Sequence, residues 1–276
     1  MNTIKQVFEN NHKNNKGCLI GYITAGDPTP ELTPKIANAL IRGGVDILEL
    51  GLPFSDPIAD GPTIQAANIR ALKAKTTPPK VLKIAQKIKT KHNTPIIIMT
   101  YYNPIFHIGL DKFISTAKTH NVNGLIIPDL PIEEASHFKK TATTYNMDTI
   151  FLAAPSTSKN RLNKIINETS GFLYLISHYG TTGTKTTLED STIKLVQQVK
   201  TITDKKIPLA VGFGISQPEH IQKIIKAGAD AAIVGSAFIN IIQKNTNNSV
   251  TCMLNELEAT AKALKTAITL ESTTYT

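Results

Sequence analysis

A glutamate stands inside an apolar run, Ile47-Leu48-Glu49-Leu50, in the segment VDILELG. A run of this kind forms a strand covered on both faces, so the carboxyl is desolvated there. Burial raises a carboxyl pKa towards neutrality, where the group can both donate and accept a proton. The other reading is a structural glutamate paired with an arginine or a backbone amide, since charged groups are seldom buried without a partner or a role. The loop that follows, FSDPIADGPT, carries Asp56 and Asp60 among prolines that stiffen it. Either aspartate could supply a second proton-transfer or hydrogen-bonding group. Either could equally cap a turn, as Asp before Pro or Gly often does.

Further along, polar and flexible residues recur where apolar runs end. Tyr174 lies in one run, and the segment after it, SHYGTTGTKT, is rich in Gly and Thr. That segment could fold over a ligand as a lid, or be a plain connection, with His178 a lone loop histidine. AVGFGIS and IVGSAF each place glycine at the end of an apolar run, just before a helix. Paired loops of this kind commonly bind phosphate through backbone N–H groups and a helix N-terminus, and Ser236 could add a hydroxyl. Tight turns alone would also use these glycines. Neither Lys112 nor Lys185 follows an apolar run closely enough to suggest a Schiff-base lysine.

The elements that must position these groups alternate regularly. Eight short apolar runs span Leu19–Thr24, Asp46–Gly51, Pro95–Tyr101, Gly124–Pro128, Thr149–Ala153, Phe172–Ser177, Pro208–Gly212 and Ala231–Gly235. Helical periodicity is expected over Pro30–Arg42, Pro62–Lys73, Lys80–His92, Leu110–His120, Ile132–Tyr145, Lys159–Glu168, Glu189–Thr203 and Pro218–Lys226, with a last helix from about Thr251 to Leu270. Continuous apolar strands alternating with helices make a parallel sheet covered on both faces. Eight repeats in 276 residues fit one (β/α)8 barrel, an α/β fold of typically about 250 residues. An open doubly wound sheet would be expected to carry GxGxxG after its first strand, which is missing here. Asp27-Pro28 and Gly61-Pro62 are expected to open helices, and Gly43-Gly44 and Ala227-Gly228 to close them. Ile4 to Phe8 could form an extra helix plugging the barrel floor. The whole of 1–276 reads as one domain, with the last few residues a disordered tail.

Composition narrows the function. The longest apolar runs fall well short of the ~20 residues that span a bilayer, and the start of the chain has no apolar signal core. The two cysteines and seven histidines show neither CxxC nor HExxH spacing, so a metal site has little support. A formal charge of +9 admits a nucleic-acid reading. The lysines in VLKIAQKIKTKH instead alternate with Val81, Ile84, Ala85 and Ile88 at helical spacing, as on a solvated surface. These residues together suggest a barrel enzyme with carboxylate acid/base chemistry and a phosphate-bearing substrate.

The stretch LELGLPFSDPIADGPTIQAANIRAL resembles the signature of the tryptophan synthase α subunits. YITAGDP, IIPDLPIEE, TTG, VGFGIS and GSA match in order and spacing over nearly the whole chain. The resemblance implies retro-aldol cleavage of indole-3-glycerol phosphate to indole and glyceraldehyde 3-phosphate, for L-tryptophan biosynthesis; a stand-alone indole-releasing lyase is the alternative. It implies Glu49 as the proton shuttle, Asp60 as acceptor of the indole N–H, and Tyr174 beside Glu49. Tyr22 matches a position that packs on the indole, where Phe is familiar, and Thr182 matches the lid threonine that bonds the loop aspartate. Gly183, Gly212, Phe213, Gly214, Gly235 and Ser236 match the phosphate loops. It further implies a pyridoxal-phosphate β subunit as partner in an α2β2 complex, reached through the loop at Pro53 and Asp56, with no cofactor or metal in this chain. No nucleic-acid or membrane partner is implied, and the expected location is cytoplasmic, or a plastid stroma if organelle-encoded. His178-Tyr179 and Thr181 depart from the familiar lid sequence.

Overall fold

The computed structural model of the chain describes residues 3–176, 190–203, 206–212, 214–246 and 248–268. Its strands are β1 (Cys18–Thr24), β2 (Ile47–Gly51), β3 (Ile96–Met99), β4 (Gly124–Ile126), β5 (Asp148–Ile150), β6 (Leu152–Ala153), β7 (Leu173–Ile176), β8 (Leu209–Gly212) and β9 (Ala231–Val234). All pairings are parallel, in the order β5-β4-β3-β2-β1-β9-β8-β7-β6. The two ends of that order, β5 and β6, are one stretch of chain interrupted at Phe151. The ring therefore closes through the covalent chain, and the Tyr174 amide donates to the Phe151 carbonyl at 3.1 Å. The expected strand Thr149–Ala153 is thus present in two pieces of an eightfold barrel.

Helices cover the outside. Before β3 lie α1 (Ile4–Lys13), α2 (Thr33–Arg42), α3 (Pro62–Lys73) and α4 (Pro78–Lys89). Next come α5 (Tyr102–Ile108), α6 (Leu110–Thr119), α7 (Ser136–Thr144) and α8 (Lys159–Glu168). The last four are α9 (Asp190–Thr203), α10 (Pro218–Lys226), α11 (Ser236–Lys244) and α12 (Val250–Thr266). Among the described residues no helix is long and apolar enough to cross a membrane.

Three local expectations need correction. Asp27-Pro28 does not open α2, which starts at Thr33. Asp27 is instead buried and takes two hydrogen bonds from Arg70 of α3, Nε at 2.7 Å and Nη2 at 2.8 Å. The helix expected over Ile132–Tyr145 is a 3-10 turn at Ile132–Glu134 followed by α7. Helix α5 was not expected at all, and α11 is the helix expected after IVGSAF, for which no bounds were read. The Gly61-Pro62 start of α3 and the glycine-bearing ends of α2 and α10 are as read.

The strand pleat sorts the core into two layers. Side chains facing outward, such as Leu19, Leu48, Ile96 and Ile98, pack under the helices. Inward-facing Ile20, Ile47, Ile97, Ile126, Ile150 and Phe172 fill the barrel. The N-terminal plug is real and longer than expected: α1 buries Ile4, Val7 and Phe8 against the barrel interior, with Phe8 and Phe172 ring centroids 5.9 Å apart. A reciprocal Thr3–Gln6 capping box starts this helix.

One polar cluster ties both ends of the chain to the floor. Lys265 of α12 donates to Asp46 Oδ2 at 2.5 Å, to Asn11 Oδ1 at 3.0 Å and to the Gly17 carbonyl at 3.1 Å. Asp46 also accepts from the Leu19 amide at 2.7 Å. Removing one partner of such a largely buried pair leaves the other charge uncompensated. Lys265→Met is expected to destabilise the protein by about 3 kcal/mol, read as a lower urea midpoint with unchanged m-value. Activity under native conditions should be unaffected, because the cluster lies at the opposite end of the strands from the loop carrying Asp60.

Candidate active site

The register of β1, β2 and β3 places Tyr22, Glu49 and Ile97 side by side. All three point inward, and Glu49 is 0 % exposed with neither carboxylate oxygen hydrogen-bonded among the described residues. The structural alternative, a paired glutamate, finds no partner among the described residues. Burial, helped by the charge of Asp60, pushes the Glu49 carboxyl up to about 8. At neutral pH it carries its proton.

Asp60 closes the loop after β2 and is 6 % exposed. It does more than cap a turn. Asn68 of α3 donates Nδ2 to its Oδ2 at 3.2 Å, and the Tyr101 hydroxyl lies beside the same carboxylate. Gln65 of the same helix donates to the Asp60 carbonyl at 2.8 Å. The bidentate Arg70–Asp27 pair holds that helix against the loop after β1, so three side chains of α3 brace the site. Burial raises Asp60 to about 6 while the Asn68 and Tyr101 hydrogen bonds pull it down. The two carboxyls therefore titrate apart, one protonated and one ionised near pH 7.

Tyr22, Glu49, Asp60, Tyr174, Gly214, Gly235 and Ser236 line one cleft of about 460 Å³ that opens to solvent. Ile64, Met99, Ile215 and Ile233 complete its wall. Two aromatic rings, an apolar wall and two carboxyls suit a flat aromatic ligand with a polar N–H. Ser236 opens α11, whose first N–H groups lack intrahelical partners and attract anions. Gly214 takes φ +77°, a left-handed conformation that glycine adopts without strain. Backbone and hydroxyl donors on this rim suit a phosphate.

The rings need room. A Cβ at Gly51 would lie 2.2 Å from Tyr22 Oη, and one at Gly212 would lie 2.6 Å from Tyr174 Oη. Gly212 thus stands behind Tyr174 and is not part of the cleft lining itself. Gly51→Ala should push Tyr22 into the cleft. The expected outcome is a fall in kcat/KM of about tenfold and a stability loss of about 2 kcal/mol from overpacking, read by steady-state kinetics and denaturant titration.

Pro53 and Asp56 stay outside the cleft; Pro53 is buried at the loop base and Asp56 is exposed. Between them and Asp60, Ile58 is 78 % exposed, and Phe106 of α5 is 70 % exposed. Thr182, Gly183 and Phe213, like His178, Tyr179 and Thr181, lie outside the described residues. Asn68 and Tyr101 were missed from sequence. Asn68 could have been found as a polar residue on the buried face of α3, and Tyr101 as the last residue of an expected strand. Among the described residues no group of three or more His, Cys, Asp or Glu side chains could hold a metal.

Comparisons with known proteins identify the family. The family model described as "Tryptophan synthase alpha chain" matches residues 8–269. A tryptophan synthase alpha chain of Methanosarcina acetivorans is 46% identical over 266 residues, 96% of this chain and 93% of that one. One from Solibacter usitatus is 42% identical, covering 96% and 97%. Among solved structures, the tryptophan synthase alpha chain of Legionella pneumophila superposes with a TM-score of 0.86 at 35% identity, covering 97% of each chain. A chain of the tryptophan synthase complex from Pyrococcus furiosus gives 0.82 at 38% identity, covering 91% of this chain and 98% of that one. A buried unpaired glutamate, a braced aspartate and an anion-ready rim thus occur in a chain that belongs to the tryptophan synthase alpha chain family.

Proposed function

We propose that this chain is the lyase subunit that cleaves indole-3-glycerol phosphate to indole and glyceraldehyde 3-phosphate, and that it works with a β subunit in L-tryptophan synthesis. The observation that carries this is Glu49, fully buried in the cleft without a partner among the described residues and raised to about 8. The protonated Glu49 gives its proton to indole C3. Positive charge then develops on the ring, and ionised Asp60 accepts a hydrogen bond from the indole N–H. The C–C bond breaks as the Glu49 carboxylate takes the proton of the side-chain hydroxyl, which becomes the aldehyde of glyceraldehyde 3-phosphate. The proton given and the proton taken cancel, so Glu49 ends each turnover ready to start again. Tyr22 and Tyr174 sandwich the ring and exclude water, and the Gly214, Gly235 and Ser236 rim holds the phosphate.

By the family resemblance, Gly183, Gly212 and Phe213 extend the phosphate site, and Thr182 bonds Asp60 when the lid closes. The proton balance asks for no cofactor in this chain, and pyridoxal phosphate belongs to the β partner. Asp56, behind Pro53, belongs to the face that meets it, and exposed Ile58 and Phe106 give that face apolar contacts. The test is indole release from indole-3-glycerol phosphate with and without a β subunit. Strong stimulation by β supports the reading. Equal release either way would make the chain a stand-alone lyase, and no release in either case would overturn it.

A further inference from the structure

The loop of residues 52–61 is held at both of its ends by one side chain that belongs to another strand. Tyr101 follows β3 and is 4 % exposed. Its ring lies 5.5 Å from that of Phe54, near the start of the loop. At the far end, the Ala59 amide donates to Tyr101 Oη at 2.9 Å, which sets the hydroxyl beside the Asp60 carboxylate. A phenol has a single proton to give. With the amide already donating to its oxygen, the Tyr101 proton is left for the Asp60 carboxylate, and accepting one hydrogen bond strengthens the one it gives. Tyr101 is itself anchored. Thr100 Oγ1 donates to its carbonyl at 3.1 Å, and the next amide, Tyr102, donates to Asp129 Oδ1 at 2.9 Å.

We propose that Tyr101 is a positioning residue for the cleavage, its hydroxyl fixing the Asp60 carboxylate and the end of its loop in the orientation that receives the indole N–H; this rests on the role given to Asp60 above. The groups facing Asp60 are Tyr22 from β1, Glu49 from β2, Tyr101 after β3, Tyr174 from β7 and Asn68 from α3. Only Asn68 and Tyr101 among these lower its proton affinity, each through a hydrogen bond. Glu49 is charged only at alkaline pH, and both cleft tyrosines stay protonated, with pKa values well above the ordinary range. Loss of the Tyr101 proton therefore removes one of two donors and moves Asp60 titration to higher pH.

Tyr101→Phe keeps the ring against Phe54 and deletes only the hydroxyl. The acid limb of kcat/KM against pH should move up by about one pH unit, with the alkaline limb in place. Near pH 6, kcat/KM then falls about fivefold, and near pH 8 it changes by about twofold or less. The same variant is followed by 13C NMR of labelled aspartate carboxyls, with the Asp60 signal assigned through its loss in Asp60→Asn. An upward move of the Asp60 midpoint is the expected result. An unmoved midpoint overturns the proposal, whether activity is kept or lowered uniformly across pH as a merely structural role would give. The NMR titration needs no turnover. A wild-type chain that cleaves nothing therefore counts against the proposed reaction, while the Asp60 midpoint still decides the case for Tyr101.

Discussion

Exchange of Glu49 for Gln is expected to lower the cleavage rate by about 10³-fold, within the range of acid/base contributions, and at the same time to stabilise the free protein above neutral pH. The two effects share one cause. The Glu49 carboxyl lies in a barrel interior without a hydrogen-bond partner, between the strands that carry Tyr22 and Ile97. That setting makes it a good proton donor near pH 7 and a poor place for a negative charge. Its folded pKa of about 8 lies above the ordinary value of 4.5. The neutral form is thus favoured by folding, and stability present below about pH 4.5 is lost as pH rises through 8. The loss is on the order of 5 kcal/mol at alkaline pH. Gln fills the same space without a charge, so the variant's denaturation midpoint should hardly change between pH 7 and 9, above the Asp60 titration, where the wild type's falls. An inactive variant with the wild-type pH dependence of stability would place the charge penalty somewhere other than Glu49.

Asp60→Asn should lower kcat by about 10²-fold, with a different pH signature. The carboxylate is the group that must be ionised, and it titrates at about 6. Removing it abolishes the acid limb of the rate profile. The alkaline limb should also shift, because the Asp60 charge is the second cause, after burial, of the raised Glu49 pKa. Without that charge Glu49 loses its proton at lower pH, so the alkaline limb moves down. Interacting sites titrate as a pair, and the two limbs are properties of the pair. Steady-state rates from pH 5 to 9 for wild type and variant provide the check. A variant that keeps a wild-type acid limb would remove Asp60 from the chemistry.

What could be read from the sequence depended on how local the cause was. Glu49 was visible because a charge inside an apolar strand is a contradiction within a few residues. Asp60 was ambiguous, since Asp before Gly serves turns equally well; only its burial and the Asn68 bond separate the two readings. The Tyr101 bond joins residues 42 positions apart in the chain and depends on how β3 stands beside β2. No spacing rule reveals such a contact. The eightfold repeat was legible from periodicity, but the break at Phe151 belongs to ring closure, which no single strand displays. A helix after IVGSAF was legible from its glycine, but not its extent: SAFINIIQK buries Phe238, Ile239 and Ile242 and has a short polar face. Helix α5 is a seven-residue helix with Pro104 inside it, too short for a periodic signal. Both helices start where a strand delivers the chain to the cleft end of the barrel, so local pattern was weakest nearest the site.

The claim that a buried, unpaired glutamate drives C–C cleavage meets its most direct test in a single-turnover reaction. Purified wild type and Glu49→Gln are each mixed in excess with indole-3-glycerol phosphate near pH 7, and indole and glyceraldehyde 3-phosphate are both quantified over time. The expected result is equal release of the two products by the wild type and release about 10³-fold slower by the variant. Comparable rates for the two proteins, or indole formed without an equal amount of glyceraldehyde 3-phosphate, would contradict it.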